Sequence, residues 1–168
     1  MRVPTRRGEK LRPQVELDRY VTPEKLQRLK DELDRLLHHE RKEAIAEVQR
    51  GAEMGDFSEN VGYQIAKANL RKLNARIMNL EERIKVAIPI ESGVDASGRI
   101  RVGSTVTLRT AEKELTYQIL GSQESNPAKG FISHNSPLGK LLIGKRLGDE
   151  VSLELATGKN VYHILNVT

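Results

Sequence analysis

Gly55-Asp56-Phe57-Ser58-Glu59-Asn60, followed one turn later by Tyr63, separates two long amphipathic patterns. Before it, Leu26, Leu29, Leu33 and Leu36 or Leu37 recur at helical spacing, and Ala44 and Val48 continue the stripe. After it, Tyr63, Ala66, Leu70, Leu73, Ile77, Leu80 and Ile84 alternate by three and four without a break, the pattern of a coiled-coil seam. Gly51 and Gly55 end the first pattern and permit a reversal, and Ser58 opens the second. Two apolar stripes joined by so few residues predict an antiparallel helical hairpin, each arm roughly 28 residues and about 40 Å long. The quoted stretch is its tip, where Asp56 and Glu59, three apart, project toward the same side.

Toward the N-terminus, Thr22-Pro23-Glu24 is a helix start: a capping hydroxyl, a proline at the first helical position and an acid in the first turn. The polar stretch around Glu40 and Arg41 weakens the seam or shifts its register. Residues 1–19 form a basic arm in which Pro4 and Pro13 discourage a continuous helix. It reads either as a solvated leader or as a contact to nucleic acid or another acidic surface.

Toward the C-terminus the helical period stops near Ile88-Pro89-Ile90, which places the hairpin in residues 20–88. Residues 89–99 read as a turn-rich linker. Residues 100–168 alternate as strands at Ile100–Val102, Thr105–Leu108, Leu115–Leu120, Phe131–Ser133, Val151–Leu155 and Val161–Val167, with a hairpin turn at 156–160. Ser136-Pro137 opens a short helix through Leu138, Leu141 and Leu142, closed by Gly144. The fold class is α+β: a helical rod attached to a small antiparallel sheet with one short helix.

Composition narrows the function. Aromatic residues make up only 4% of the chain and tryptophan is absent, which argues against stacked-ring pockets and against base-stacking platforms. A net charge of +5 favours an acidic partner such as nucleic acid. The absence of cysteine excludes disulfide and thiol chemistry, and His38, His39, His134 and His163 show no metal-ligand spacing. Neither a signal peptide nor a membrane-spanning run is present, so a cytoplasmic protein is expected.

Two readings of the tip acids stand side by side. As a capping-box variant, Asp56 and Glu59 would satisfy backbone N–H groups at the start of the second helix. As ligands, two carboxylates suit Mg²⁺, which takes one or two carboxylates and completes its shell with water and phosphate oxygens. The pair alone holds Mg²⁺ poorly, so another protein would have to supply the rest of the site. Arg41, Lys42 and Arg50 on the first arm and Lys67, Arg71, Lys72 and Arg76 on the second are either a solvated, charge-paired face or a track for RNA phosphates.

Gly55-Asp56-x-Ser58-Glu59-Asn60-x-x-Tyr63 resembles the tip motif of the bacterial transcript cleavage factors GreA and GreB. Ile132-Ser-His-Asn-Ser136-Pro137-Leu-Gly-Lys-Leu-Leu-Ile-Gly144-Lys-Arg-Leu-Gly148-Asp149 resembles the signature of their C-terminal domain. The resemblance covers about residues 20–168, in the same order. It implies a coiled coil that enters the secondary channel of RNA polymerase and an FKBP-like C-terminal domain that docks at the channel rim. It implies that Asp56 and Glu59 are the catalytic acids, helping to hold a second Mg²⁺ while the polymerase hydrolyses its own backtracked nascent RNA. Phe57, Ser58, Asn60 and Tyr63 would support the tip, the basic residues would steer RNA, and Asn135, Ser136 and Pro137 would lie in the docking surface. The factor would be a monomer that lends ligands while the polymerase remains the enzyme. Val61-Gly62 departs from the family pattern of a small residue followed by an acid, and glycine in a first helical turn costs about 0.5–1 kcal/mol relative to alanine.

Three other functions compete. A channel-binding regulator of polymerase would not need the two acids. A prolyl isomerase would need an aromatic-lined pocket, for which Phe131, Tyr117 and Tyr162 are the only rings in the second half. A free-standing RNA-binding coiled coil would show steep salt dependence without polymerase.

Overall fold

The computed structural model describes residues 18–53, 60–111, 113–155 and 158–168. The basic arm up to residue 17, and Gly55, Asp56, Phe57, Ser58 and Glu59 of the tip, lie outside the described residues.

Strand β1 (Tyr20–Val21) leads into helix α1 (Pro23–Arg35). Thr22 caps α1 as expected, its Oγ1 accepting from Lys25 N–H at 3.2 Å, with Pro23 in the first turn. The polar stretch becomes a π-helical turn, Leu36–Glu40, in which Arg41 N–H reaches back five residues to the Leu36 carbonyl. One extra residue in that turn shifts the register of the seam, the second of the two outcomes expected there. Helix α2 (Arg41–Glu53) continues the arm, and α3 (Val61–Val86) returns. Gly51 does not end the first helix but lies within α2, and the second helix opens at Val61 with Asn60 as its cap.

The arms run antiparallel, since Glu32 bonds Arg76 near the base while Gly51 meets Asn60 and Tyr63 near the other end. Leu29, Leu36, Ile77 and Leu80 form the buried cluster, with Leu33, Leu37, Leu73 and Ile84 packed around it. All lie in the half nearer the base. Beyond it α2 buries no residue and α3 buries only Ala66, while Ala44 and Val48 are half-buried.

The chain then forms β2 (Ile88–Pro89), which pairs in parallel with β1, Tyr20 opposite Ile88. The stretch read as a linker therefore begins inside a strand. Two-residue strands carry no periodicity, and only the meeting of chain segments remote in sequence creates this pair. Strands β3 (Thr105–Arg109), β4 (Glu114–Leu120), β5 (Phe131–Ser133), β6 (Glu150–Leu155) and β7 (Gly158–Val167), with helix α4 (Pro137–Leu142), complete the fold. The sheet order is β5-β4-β3-β7-β6.

The sheet is mixed rather than wholly antiparallel, because β5 pairs with β4 in parallel. Two 3₁₀ turns, Ser122–Glu124 and Pro127–Lys129, carry the chain back so that it re-enters the sheet in its original direction. The strand expected at Ile100–Val102 does not form. Ile100 is buried, but its N–H donates to the Lys145 carbonyl and its carbonyl accepts from Gly144 N–H, both at 2.8 Å, so its hydrogen bonds go to the loop after α4. The core of this half comprises Ile100, Val106, Leu108, Ile119, Ile132, Leu142, Val151, Tyr162 and Ile164.

The base of the hairpin is tied to the sheet through side chains. Thr22 donates from its N–H and its hydroxyl to the two Glu124 carboxylate oxygens, at 2.8 and 2.6 Å, and Arg83 bonds Gln123. The negative charge of Glu124 at the start of α1 is favourable to the helix dipole.

Candidate functional site

Asn60, the last residue of the quoted tip stretch, bonds both arms of the hairpin. Asn60 Oδ1 accepts from Tyr63 N–H at 3.0 Å, capping α3, and Asn60 Nδ2 donates to the Gly51 carbonyl of α2, also at 3.0 Å. Only this orientation of the amide satisfies both partners, since an N–H needs an acceptor and a carbonyl needs a donor. The helices approach closely here: a Cβ on Gly51 would stand 3.2 Å from Tyr63 Cα and 3.3 Å from its Cβ. Lys67 Nζ lies 5.2 Å from the Tyr63 ring centroid, a cation–π contact one turn further along α3. Of the expected tip-support residues, Asn60 and Tyr63 thus meet at the hairpin end, while Phe57 and Ser58, like the acids Asp56 and Glu59, are outside the described residues. Among the described residues no group of three or more metal-ligating side chains converges.

The basic residues do not form a single line. A helix turns about 100° per residue, so on α3 Lys67 and Arg71 lie on one flank of the apolar seam and Lys72 and Arg76 on the other. Arg41, Lys42, Arg50, Arg71, Lys72 and Arg76 are exposed and Lys67 is half-buried. Arg76 is paired with Glu32. Arg50 lines an open groove between α2 and α3 whose other walls include Glu40, Glu43, Glu47 and Asn69, so acids face it there.

At the other end, Ser136 caps α4, its Oγ accepting from Gly139 N–H at 3.1 Å and donating to the Ser133 carbonyl at 2.6 Å. Pro137 occupies the first helical position, and Asn135 and Pro137 are exposed. Asn135 N–H donates to Ser133 Oγ at 3.0 Å and its Nδ2 lies 3.4 Å from Ser122 Oγ. The expected docking residues therefore share one turn, and that turn leans on the hairpin base through Ser122, whose N–H donates to Asp18.

Sequence reasoning misses this junction. In the sequence Asp18 belongs to the basic arm, Ser122 and Glu124 to a loop, and His134 to no ligand pattern, and no spacing rule links residues more than a hundred positions apart.

Comparison with known proteins bears on both halves. The family model described as "Transcription elongation factor, N-terminal" matches residues 19–88, and that described as "Transcription elongation factor, GreA/GreB, C-term" matches residues 95–168. Transcription elongation factor GreA of Helicobacter pylori (strain G27) is 40% identical over 138 residues, spanning 81% of this chain and 84% of the relative. GreA of Nautilia profundicola is 40% identical over 141 residues, spanning 82% and 86%. Among solved structures, the GreA factor homolog 1 protein of Thermus thermophilus is 30% identical, covering 85% of this chain and 94% of that one, with a TM-score of 0.39. With both halves matched in order and relatives of this identity spanning most of its length, the chain belongs to the GreA/GreB family of transcription elongation factors.

Proposed function

We propose that this chain binds RNA polymerase, enters its secondary channel with the hairpin foremost, and stimulates cleavage of backtracked nascent RNA by the polymerase. The observation that supports this most is the placement of Asn60. Asp56 and Glu59 fall in the short connection between α2 and α3, directly before the residue that ties the two helices together. Helix α3, 26 residues long, spans about 39 Å from that connection to the base. A probe of that length suits a narrow channel, and the hairpin acts as a coiled coil that stiffens it.

In this reading Asp56 and Glu59 are oxygen ligands of the kind Mg²⁺ takes, one or two carboxylates with phosphate and water filling the remaining sites. When bound, the ion would stabilise charge on the attacked phosphodiester and lower the pKa of a coordinated water. The chain's own residues orient the carboxylates and carry them into a site that the polymerase completes, so the factor is an accessory and the polymerase the enzyme. The basic residues flanking the seam reduce repulsion between the probe and the RNA 3′ end. Asn135, Ser136 and Pro137, exposed or half-exposed on one turn of an FKBP-like head, contact the channel rim. The chain acts as a monomer in the cytoplasm, where polymerase works.

The test uses purified factor and stalled elongation complexes carrying end-labelled RNA. Shortening of the RNA that disappears with Asp56→Ala or Glu59→Ala, while polymerase binding persists, is expected. Binding without shortening in wild type would leave a channel-binding regulator instead.

A further inference from the structure

One side chain serves both arms of the hairpin. A helix leaves its first four N–H groups and last four carbonyls without intrahelical partners. Tyr63 N–H belongs to the first set in α3 and the Gly51 carbonyl to the second in α2, and Asn60 bonds both, each at 3.0 Å. Serine, threonine and aspartate cap helices as well as asparagine does. A donor and an acceptor on one short planar group, however, belong to asparagine among these, so capping alone does not explain the residue.

The tie also matters because, among the described residues, Ala66 is the one fully buried apolar residue in the half of the hairpin nearer this end. The buried cluster of Leu29, Leu36, Ile77 and Leu80 stops well short of it, α2 buries nothing, and Val61 and Ile65 are 69% and 56% exposed. Where apolar packing is thin, a directional bond sets the separation of the helices. Gly51 permits the close approach by having no Cβ to meet Tyr63.

We propose that Asn60 is a positioning residue for RNA cleavage: by tying the Gly51 carbonyl to the start of α3, it fixes the separation of the two chain ends between which Asp56 and Glu59 are carried. This rests on the cleavage function proposed above. It assigns Asn60 a role through the acids rather than on the RNA itself.

The test separates the two bonds of Asn60. Asn60→Asp keeps an acceptor for Tyr63 N–H but removes the donor to Gly51, Asn60→Ser keeps the acceptor and leaves only a shorter hydroxyl donor in place of the amide, and Asn60→Ala removes both. The serine variant adds no charge and so guards against an electrostatic effect of the aspartate one. Amide exchange at Tyr63 reports the cap, and spin labels at Gln49 and Ala68 report the helix separation. Expected are a protected Tyr63 amide in the aspartate and serine variants, a spin-label distance distribution as broad as in Asn60→Ala, and maximal cleavage lowered about ten- to a hundredfold. The factor concentration for half-maximal effect should stay unchanged. Distance distributions and cleavage equal to wild type in both variants would overturn the proposal, as would loss of cleavage that follows only the loss of Tyr63 protection. A wild type that stimulates no cleavage would instead sink the functional reading, and the positioning role with it.

Discussion

Asp18 and His134, 116 positions apart in sequence, meet where the hairpin joins the sheet, Asp18 Oδ2 lying 2.9 Å from His134 Nε2. Tyr20 stands edge-on to the His134 ring, centroids 5.2 Å apart. The Asp18 side chain is only 7% exposed. Burial alone would raise its carboxyl, but hydrogen bonds from Ser122 side chain and backbone, from His134 and from Tyr20 N–H outweigh it and hold the carboxyl below its usual range.

That depression fixes the sign of a pH dependence. A carboxyl whose folded pKa is lowered contributes stability above its unfolded value, about 3.9, and loses it as pH falls through the folded value. Asp18→Ala should cost about 1–3 kcal/mol near neutral pH by stranding its donors. In urea unfolding at a series of pH values, the gap between wild type and variant should narrow below about pH 4. A gap that is constant down to strong acid would refute the contribution of the charged form.

Glu124 and Thr22 form the second tie. Thr22→Ala removes the α1 cap and the hydroxyl bond to Glu124, and should lower stability by about 1–2 kcal/mol. Thr22→Ser should recover most of the loss, since it restores the oxygen to the same place. Equal stability of the alanine and serine variants in thermal unfolding would show that the threonine methyl, not its hydroxyl, is what matters.

Gly121 has an ordinary φ of −67° but no room: a Cβ there would lie 2.0 Å from the Tyr20 carbonyl oxygen. Gly121→Ala should therefore push β1 away from the sheet, at about 1–3 kcal/mol. NMR shift changes should centre on Tyr20 and His134. Changes confined to Gly121 and its chain neighbours would mean that the junction yields without strain.

The two halves of the hairpin should respond differently to truncation. Leu36 is fully buried, and Leu36→Ala should cost about 2–5 kcal/mol. Ile45, 38% exposed, lies on the thinly packed half, and Ile45→Ala should cost under about 1 kcal/mol. Denaturant midpoints of the two variants measure the contrast, and comparable losses would place a core where none is seen.

Much of the fold is legible in the chain because its signals are local. The leucine stripe, the Thr22-Pro23 and Ser136-Pro137 starts and most strands each follow from periodicity or from a cap within a few residues. The π turn is foreshadowed by polar residues at Glu40 and Arg41 only as a break in the seam. Candidate site residues are legible only in part. Asn60 and Tyr63 stand out as motif positions, but nothing in the sequence says that the Asn60 amide spans both helices.

The order of residues by itself determined two antiparallel helices and a small sheet, because helical and strand periods are properties of neighbouring side chains. Only the tertiary structure decided the parallel pairings of β1 with β2 and of β4 with β5, the clustering of Asp18, Ser122 and His134, and the tie from Asn60 to Gly51. Each of these joins groups whose approach depends on the path of the whole chain, and hydrogen bonds at about 3 Å leave no trace in local pattern.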